Sequence, residues 1–189
     1  MLYLLDANVL ITANSLYYPL DQVPEFWTWV SNQANSDRIK IPREIMEEIK
    51  ADERTRTHFS IGFVIPEIEA ALLLNETADT TLVQQVVSNG YAPDLSDDEV
   101  DKIGRDPFLI AYALANPKDR TVVTTEVSRP SAQRANRKIP DVCQSVGALS
   151  CGPFALNKAL GFRTDGEPLP EKFAPTLLRP HSRCITVNR

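Results

Sequence analysis

Histidine, cysteine and glycine are scarce in this 189-residue chain, and each shortage closes off a class of chemistry. Two histidines, His58 and His181, are too few for a histidine-rich zinc site or a histidine-dependent catalytic triad. Three cysteines (Cys143, Cys151, Cys184) are an odd number at irregular spacing. That argues against a secreted disulfide framework and fits reduced thiols in a cytosol. The seven glycines form no Gly-x-Gly-x-x-Gly after the first apolar run and no P-loop, so the dinucleotide and nucleotide fingerprints are missing. No apolar run approaches the ~20 residues that cross a bilayer, and no membrane association is expected. The opening Met1-Leu2-Tyr3-Leu4-Leu5-Asp6 lacks a basic stretch and meets an acid at once, so a signal peptide is not expected. Excess positive charge is missing too. Twenty basic and 25 acidic side chains give a net charge of −5, whereas a purely electrostatic nucleic-acid binder would be basic. Contact with nucleic acid would therefore need a local patch, or metal ions held by some of the acids.

What is present belongs to a soluble globular domain. Hydrophobic residues make up 43% and charged residues 24%, which leaves enough apolar surface for one core and excludes disorder. The length suits a single domain. Leu2 to Leu5 is a short apolar run that stops at Asp6 and reads as a buried strand, with a helix resuming at Val9. Phe26, Trp27, Trp29 and Val30 lie on a helix that ends near Asn35-Ser36. Arg38-Ile39-Lys40-Ile41 alternates like a strand, and Pro42 then suits the first turn of a helix running to about Ala51. Residues 55–66 read as a connection, and Glu67 to Ser88 as one long helix stopped by Asn89-Gly90. Ser96 and Glu99 have capping-box spacing. Asp106-Pro107 opens an almost wholly apolar helix, with Asp106 expected as its N-cap. The β-branched run Thr121-Val122-Val123-Thr124 reads as a buried strand followed by Glu126. Helices are expected near 141–148 and 153–160. Residues 163–189 carry four prolines and little periodicity, which reads as a wrapping or loose tail behind a domain of residues 1–162.

This order of elements predicts an α/β fold of three layers, helices on both faces of a mostly parallel sheet. Ligands gather at the carboxyl ends of such strands, and two of the three expected strands end next to an acid. Four carboxylates can then meet at one edge: Asp6, Glu48, Asp106 and Glu126. Packed together they repel, unless they are protonated or a cation intervenes. Mg²⁺ or Mn²⁺ suits oxygen-only ligands, and metals held this way can activate water for in-line phosphoryl displacement. Each acid also has an everyday alternative. Asp6 and Asp106 could cap helices, Glu48 could be a solvated member of an acidic stretch, and Glu126 could be a loop acid. A phosphatase that opens with a strand ending in Asp needs a second Asp two residues on, where this chain has Asn8.

Four blocks carry a family likeness. Leu4-Leu5-Asp6-Ala7-Asn8-Val9-Leu10, Ile41-Pro42-Arg43-Glu44-Ile45-Met46-Glu47-Glu48-Ile49, Asp106-Pro107-Phe108-Leu109-Ile110-Ala111-Tyr112-Ala113 and Val122-Val123-Thr124-Thr125-Glu126 resemble, in order and rough spacing, the PIN domain, the nuclease fold of VapC-type toxins. The resemblance implies an Mg²⁺- or Mn²⁺-dependent endoribonuclease leaving a 5′-phosphate and a 3′-hydroxyl. It commonly acts as a cytoplasmic toxin with a protein antitoxin, and often as a homodimer. Carried over, Asp6, Glu48 and Asp106 are the principal acids, Glu126 the fourth, and Asn8 supports Asp6. Glu126 stands where the family has Asp. Glu44 and Glu47 rival Glu48, and Glu44 shares its helix face. The chain resembles a larger PIN-like variant, in which Asp141 is a further acid or a helix cap. RNA phosphates would meet Arg105, Arg129, Arg134, Arg137 and Lys138, or these form a solvated loop. Tyr17, Tyr18, Trp27 and Trp29 could stack bases, or belong to the core or to an interface with an antitoxin or second copy. A non-catalytic RNA- or protein-binding module is the alternative from outside enzymology.

Overall fold

The computed structural model describes residues 1–51 and 65–164. His58, His181, Cys184, the connection over 55–64 and the tail from 165 lie outside them. Four parallel strands form the sheet: β1 (Leu2–Leu5), β2 (Ile39–Lys40), β3 (Arg120–Val123) and β4 (Leu149–Cys151), in the order β2-β1-β3-β4. The described helices are α1 (Ala7–Thr12), α2 (Pro24–Asn35), α3 (Arg43–Ala51), α4 (Ile65–Leu72), α5 (Thr80–Gln85), α6 (Asp97–Ile103), α7 (Asp106–Leu114), α8 (Ile139–Val146) and α9 (Pro153–Ala159). A three-layer α/β/α architecture holds, as the alternation of elements predicts. None of the described helices is long and apolar enough to cross a membrane.

The sheet order places the candidate site. From β1 the chain moves out to β2 on one side, then returns to β3 on the other side of β1. The crevice between the carboxyl ends of β1 and β3 is the point where the winding reverses, and side chains there are not covered by a crossover. β1 is flanked by strands on both sides and covered on both faces, so it is continuously apolar rather than alternating. Leu4 and Leu5 are fully buried beside Val122 and Val123. Helix α7 packs on β1 and β3 with Leu109, Ile110 and Ala113 fully buried. Each such side chain contributes about 1.5–3 kcal/mol by leaving water.

Three expectations needed correction. The helix expected over 67–88 is two helices. The chain leaves α4 at Leu72 so that the Leu74 N–H donates to the Ile41 carbonyl at 2.9 Å and Leu73 bridges Ile41, extending the sheet beside β2. Asp79 restarts the helix by accepting from the Thr81 N–H at 2.8 Å. Strand β4 was missed because three residues with an exposed Leu149 carry no pattern. Helix α8 starts at Ile139, not 141, and ends at Gly147, whose φ of +84° suits a residue without Cβ. The Ser96–Glu99 capping box forms in both directions.

Tyr18, Phe26, Trp29 and Phe162 make one aromatic cluster, with Tyr18 and Phe26 stacked at 4.3 Å and Phe162 5.3 Å from Phe26. The Trp27 indole N–H donates to the Tyr18 carbonyl at 2.9 Å. Most of the aromatics considered for base stacking are thus committed to packing. Tyr17 remains half exposed, edge-on to exposed Phe154 at 5.1 Å. Cys143 is buried and Cys151 half-buried, and both are free thiols.

Candidate active site

Asp6 follows the last residue of β1. Its N–H donates to the Val123 carbonyl at 2.9 Å, which continues the ladder by one residue and fixes its position at the crevice. Its carboxylate has two roles. Oδ1 accepts the Asn8 N–H at 3.5 Å and so caps α1, while Oδ2 accepts the Thr124 hydroxyl at 2.8 Å. The Thr124 hydroxyl oxygen accepts in turn from the Glu126 N–H at 3.1 Å. Asp6 is nearly buried, and burial raises its pKa above the ordinary aspartate value. The bonds from Thr124 and Asn8 pull the other way, and the charge of Glu126 adds to the rise.

Asp106 departs from expectation in a way that matters. Gly104, at φ +52°, turns the chain early, so Arg105 flanks the helix and Asp106 is its first residue. Arg105 supplies the carbonyl that accepts from Phe108 at 3.0 Å, and Asp106 is not a cap. No hydrogen bond from the described residues reaches its carboxyl. Burial, followed by the charges of Asp6, Glu126 and Glu48, pushes its pKa up to about 8, against the pull of Lys138. Glu48, exposed on α3, is raised by partial burial and by Asp6, with Arg105 opposing. Three carboxylates from three distant stretches therefore feel one another's charge.

Among the three glutamates of α3, Glu48 is the one that joins this group. The Tyr112 hydroxyl lies 3.4 Å from Glu44 Oε1 and 3.2 Å from the Glu76 carbonyl, which places Glu44 against α7. Glu47 is exposed.

Glu126 shares the edge but is occupied. Oε1 accepts from Lys138 Nζ at 2.5 Å and Oε2 from the Ile139 N–H at 2.8 Å. The extra methylene relative to Asp lets it reach across to the first turn of α8, where it meets both an ammonium and the positive end of the helix. Asp141 does not cap α8 as expected; it is the third residue of that helix. It accepts from the Ser128 hydroxyl at 2.5 Å and the Arg129 N–H at 2.7 Å, and so pins the loop after β3. Burial would raise its pKa, but these bonds and Arg137 outweigh it and hold the carboxyl below the usual range.

The basic residues divide in the same way. Arg134 is clamped by Glu99 at 2.8 Å and Asp94 at 2.8 Å. Arg137 donates to the Gly90 carbonyl, to the Asp141 carbonyl at 3.0 Å and to the Ser145 hydroxyl at 2.6 Å. Lys138 serves Glu126. Arg105 and Arg129 remain exposed, with Arg105 6.0 Å above the Phe108 ring.

Tyr91 was not anticipated. It ends a π-helical turn, Val86–Tyr91, of a kind often found at functional sites. Only 7% of it is exposed, and its hydroxyl has no partner among the described residues. Burial, then Asp106 and Glu126, raise its pKa, so the phenol stays a neutral donor beside the acids. Its position after Asn89-Gly90 gave no warning.

Residues 3–163 match the family model described as a domain of unknown function, DUF4411. The chain belongs to this family. No curated protein and no solved structure matches the chain. Since the family carries no activity with it, function has to be argued from the site. The donor chemistry fits a hard divalent cation: oxygen only, excess negative charge, and an Asp106 carboxyl that no hydrogen bond from the described residues stabilises. The spacing is open. Among the described residues no three Asp, Glu, His or Cys side chains stand as a ready-made ligand set. Asp6 is bonded to Thr124 and Glu126 to Lys138.

Proposed function

We propose that this protein is a metal-dependent endoribonuclease that hydrolyses RNA phosphodiester bonds at the β1–β3 crevice. One observation carries the reading. Asp106 is held half-buried among Asp6, Glu48 and Glu126, without a donor and with its pKa pushed up to about 8. A purely structural carboxyl in that position would be a net cost, because burial without pairing disfavours its charged form. A cation turns the cost into binding energy.

Asp6, Glu48 and Asp106 would hold Mg²⁺ or Mn²⁺. Bound there, the ion would activate water and offset the charge that develops on the phosphoryl oxygens. Thr124 and the Asn8 N–H fix Asp6 so that it arrives in one orientation. Glu48 is exposed and can swing toward the crevice. Arg105, close enough for its charge to act on Glu48, and Arg129, which is exposed, would meet substrate phosphates. By the resemblance set out above, the product would carry a 5′-phosphate and a 3′-hydroxyl. The protein would act as the toxin of a cytoplasmic toxin–antitoxin pair.

The test is cleavage of a single-stranded RNA with Mn²⁺, with a chelator, and with Asp106→Asn. Cleavage that needs Mn²⁺ and disappears in Asp106→Asn supports the reading. Metal-dependent cleavage unchanged in both Asp6→Asn and Asp106→Asn rules it out. RNA binding without cleavage would favour a non-catalytic module.

A further inference from the structure

Glu126 and Lys138 form the best-defined polar pair at the crevice, and nothing in the proposed chemistry yet uses them. Both carboxylate oxygens of Glu126 are taken: Oε1 by Lys138 Nζ at 2.5 Å, Oε2 by the Ile139 N–H at 2.8 Å. A carboxylate bonded in this way has little remaining capacity for a metal ion, since both donors to it are positively polarised. Lys138 is not a free surface lysine. It lies just before α8, and Pro140 in the first turn fixes the backbone beside it. The loop that carries Glu126 is tied to the same helix by Asp141, through the Ser128 hydroxyl and the Arg129 N–H. The backbone on both sides of the pair is therefore tied down, while the ammonium itself bonds to Glu126. Its charge extends beyond Glu126, for it is the one cation among the main influences on Asp106. Four acids with a lysine bonded to one of them make a different site from four acids alone.

We infer that Lys138 is a positioning residue that occupies the place a second divalent ion would fill, so that the crevice takes one ion, on Asp6, Glu48 and Asp106, with Glu126 outside its ligands. The inference rests on the proposed reading of the acids as a cation site. Its physical basis is charge. Three carboxylates suffice for one divalent ion, and the fourth already has its counter-charge. Replacing the ammonium with an apolar group would free Glu126 beside Asp106, and those two carboxylates would then create a second site.

Titration of the full-length protein with Mn²⁺, following free Mn²⁺ by electron paramagnetic resonance, tests this without reference to activity. The wild type is expected to take one ion per chain. Lys138→Met is expected to take two. Glu126→Gln, which keeps an acceptor for the Ile139 N–H, is expected to take one ion with affinity within about threefold of wild type. Asp106→Asn should weaken the ion by about a hundredfold. Two ions on the wild type, one ion on Lys138→Met, or a tenfold or greater loss of affinity in Glu126→Gln overturns the role given to Lys138 and leaves the acid site standing. No Mn²⁺ bound by the wild type overturns both. If Lys138→Met does not fold, Glu126→Gln decides the matter alone.

Discussion

Two pairs of carboxylates share one end of the sheet and have opposite surroundings. Glu126 and Asp141 are fully bonded, by Lys138 and the Ile139 N–H in one case and by Ser128 and the Arg129 N–H in the other. Together they sew the loop after β3 onto α8. Asp6 and Asp106 form no ion pair among the described residues; the first accepts two hydrogen bonds and the second none from the described residues. Residue type does not separate the pairs. What separates them is whether backbone and side-chain donors converge on the carboxyl, which decides whether it serves the fold or remains available to a ligand.

The comparison is tested most severely by Asp106→Asn. With Mn²⁺ and RNA present, the cleavage rate should fall by about a thousandfold or more. Without metal, the same change should stabilise the fold by about 1–3 kcal/mol at neutral pH, since it replaces a carboxyl whose ionisation is opposed by burial and by its neighbours. Thermal melts in chelator and cleavage assays in Mn²⁺ read the two effects separately, and a destabilised Asp106→Asn would mean that the carboxyl has a structural partner after all.

Metal itself should act next most strongly. At a hundredfold excess over its Kd, an ion adds about 2.7 kcal/mol to stability by mass action. That gain should be present in the wild type, removed by chelator and lost in Asp106→Asn. In contrast, Asp141→Ala should cost about 1–3 kcal/mol with or without metal, because the Ser128 hydroxyl and the Arg129 N–H lose their acceptor. Equal metal dependence in the two variants would erase the distinction between the pairs.

Acidity separates the pairs by sign. Asp106 holds its proton more tightly folded than unfolded, so its contribution is fully present below about pH 4 and is lost as pH rises toward 8. Asp141, held low, contributes above the ordinary aspartate range and loses that contribution as pH falls. The metal-free protein should therefore melt at falling temperature from pH 5 to pH 8. Asp106→Asn should flatten that limb, and Asp141→Asn should flatten the acid limb instead. The smallest effect is expected of Tyr91→Phe. Removing a buried hydroxyl without a partner should be neutral or stabilising by up to about 1 kcal/mol. A loss of more than that would show that the phenol is bonded in solution.

The architecture was legible because its signals are local. Leu2–Leu5 running into Asp6, Thr121–Val123 running into Thr124, and the apolar α7 each carry their identity in a few residues. The break after Leu72 was not legible, because Leu73 and Leu74 suit a helix as well as a sheet edge, and only Ile41 on another segment decides between them. The same holds at the site. Asp6 and Asp106 could be named as candidates from a strand end and a helix start, whereas Glu48 had Glu44 and Glu47 as rivals. That Glu126 is paired with Lys138, that Arg134 is clamped by Asp94 and Glu99, and that Glu44 turns to Tyr112 depends on partners far away in sequence. Asp106 itself looked like a cap because Asp before Pro usually is one, and a left-handed Gly104 two residues earlier moved the helix start.

The interior position of β1 also has a consequence for synthesis. The first strand made is flanked by the third, and the bond from Thr124 to Asp6 spans 118 residues. At roughly 5–20 residues per second, a ribosome needs several seconds to some tens of seconds between the two. Throughout that interval the emerging polypeptide has its leading acid but not the scaffold that aims it. The carboxyl end of β1 therefore lacks its Thr124 partner until 118 further residues have been made.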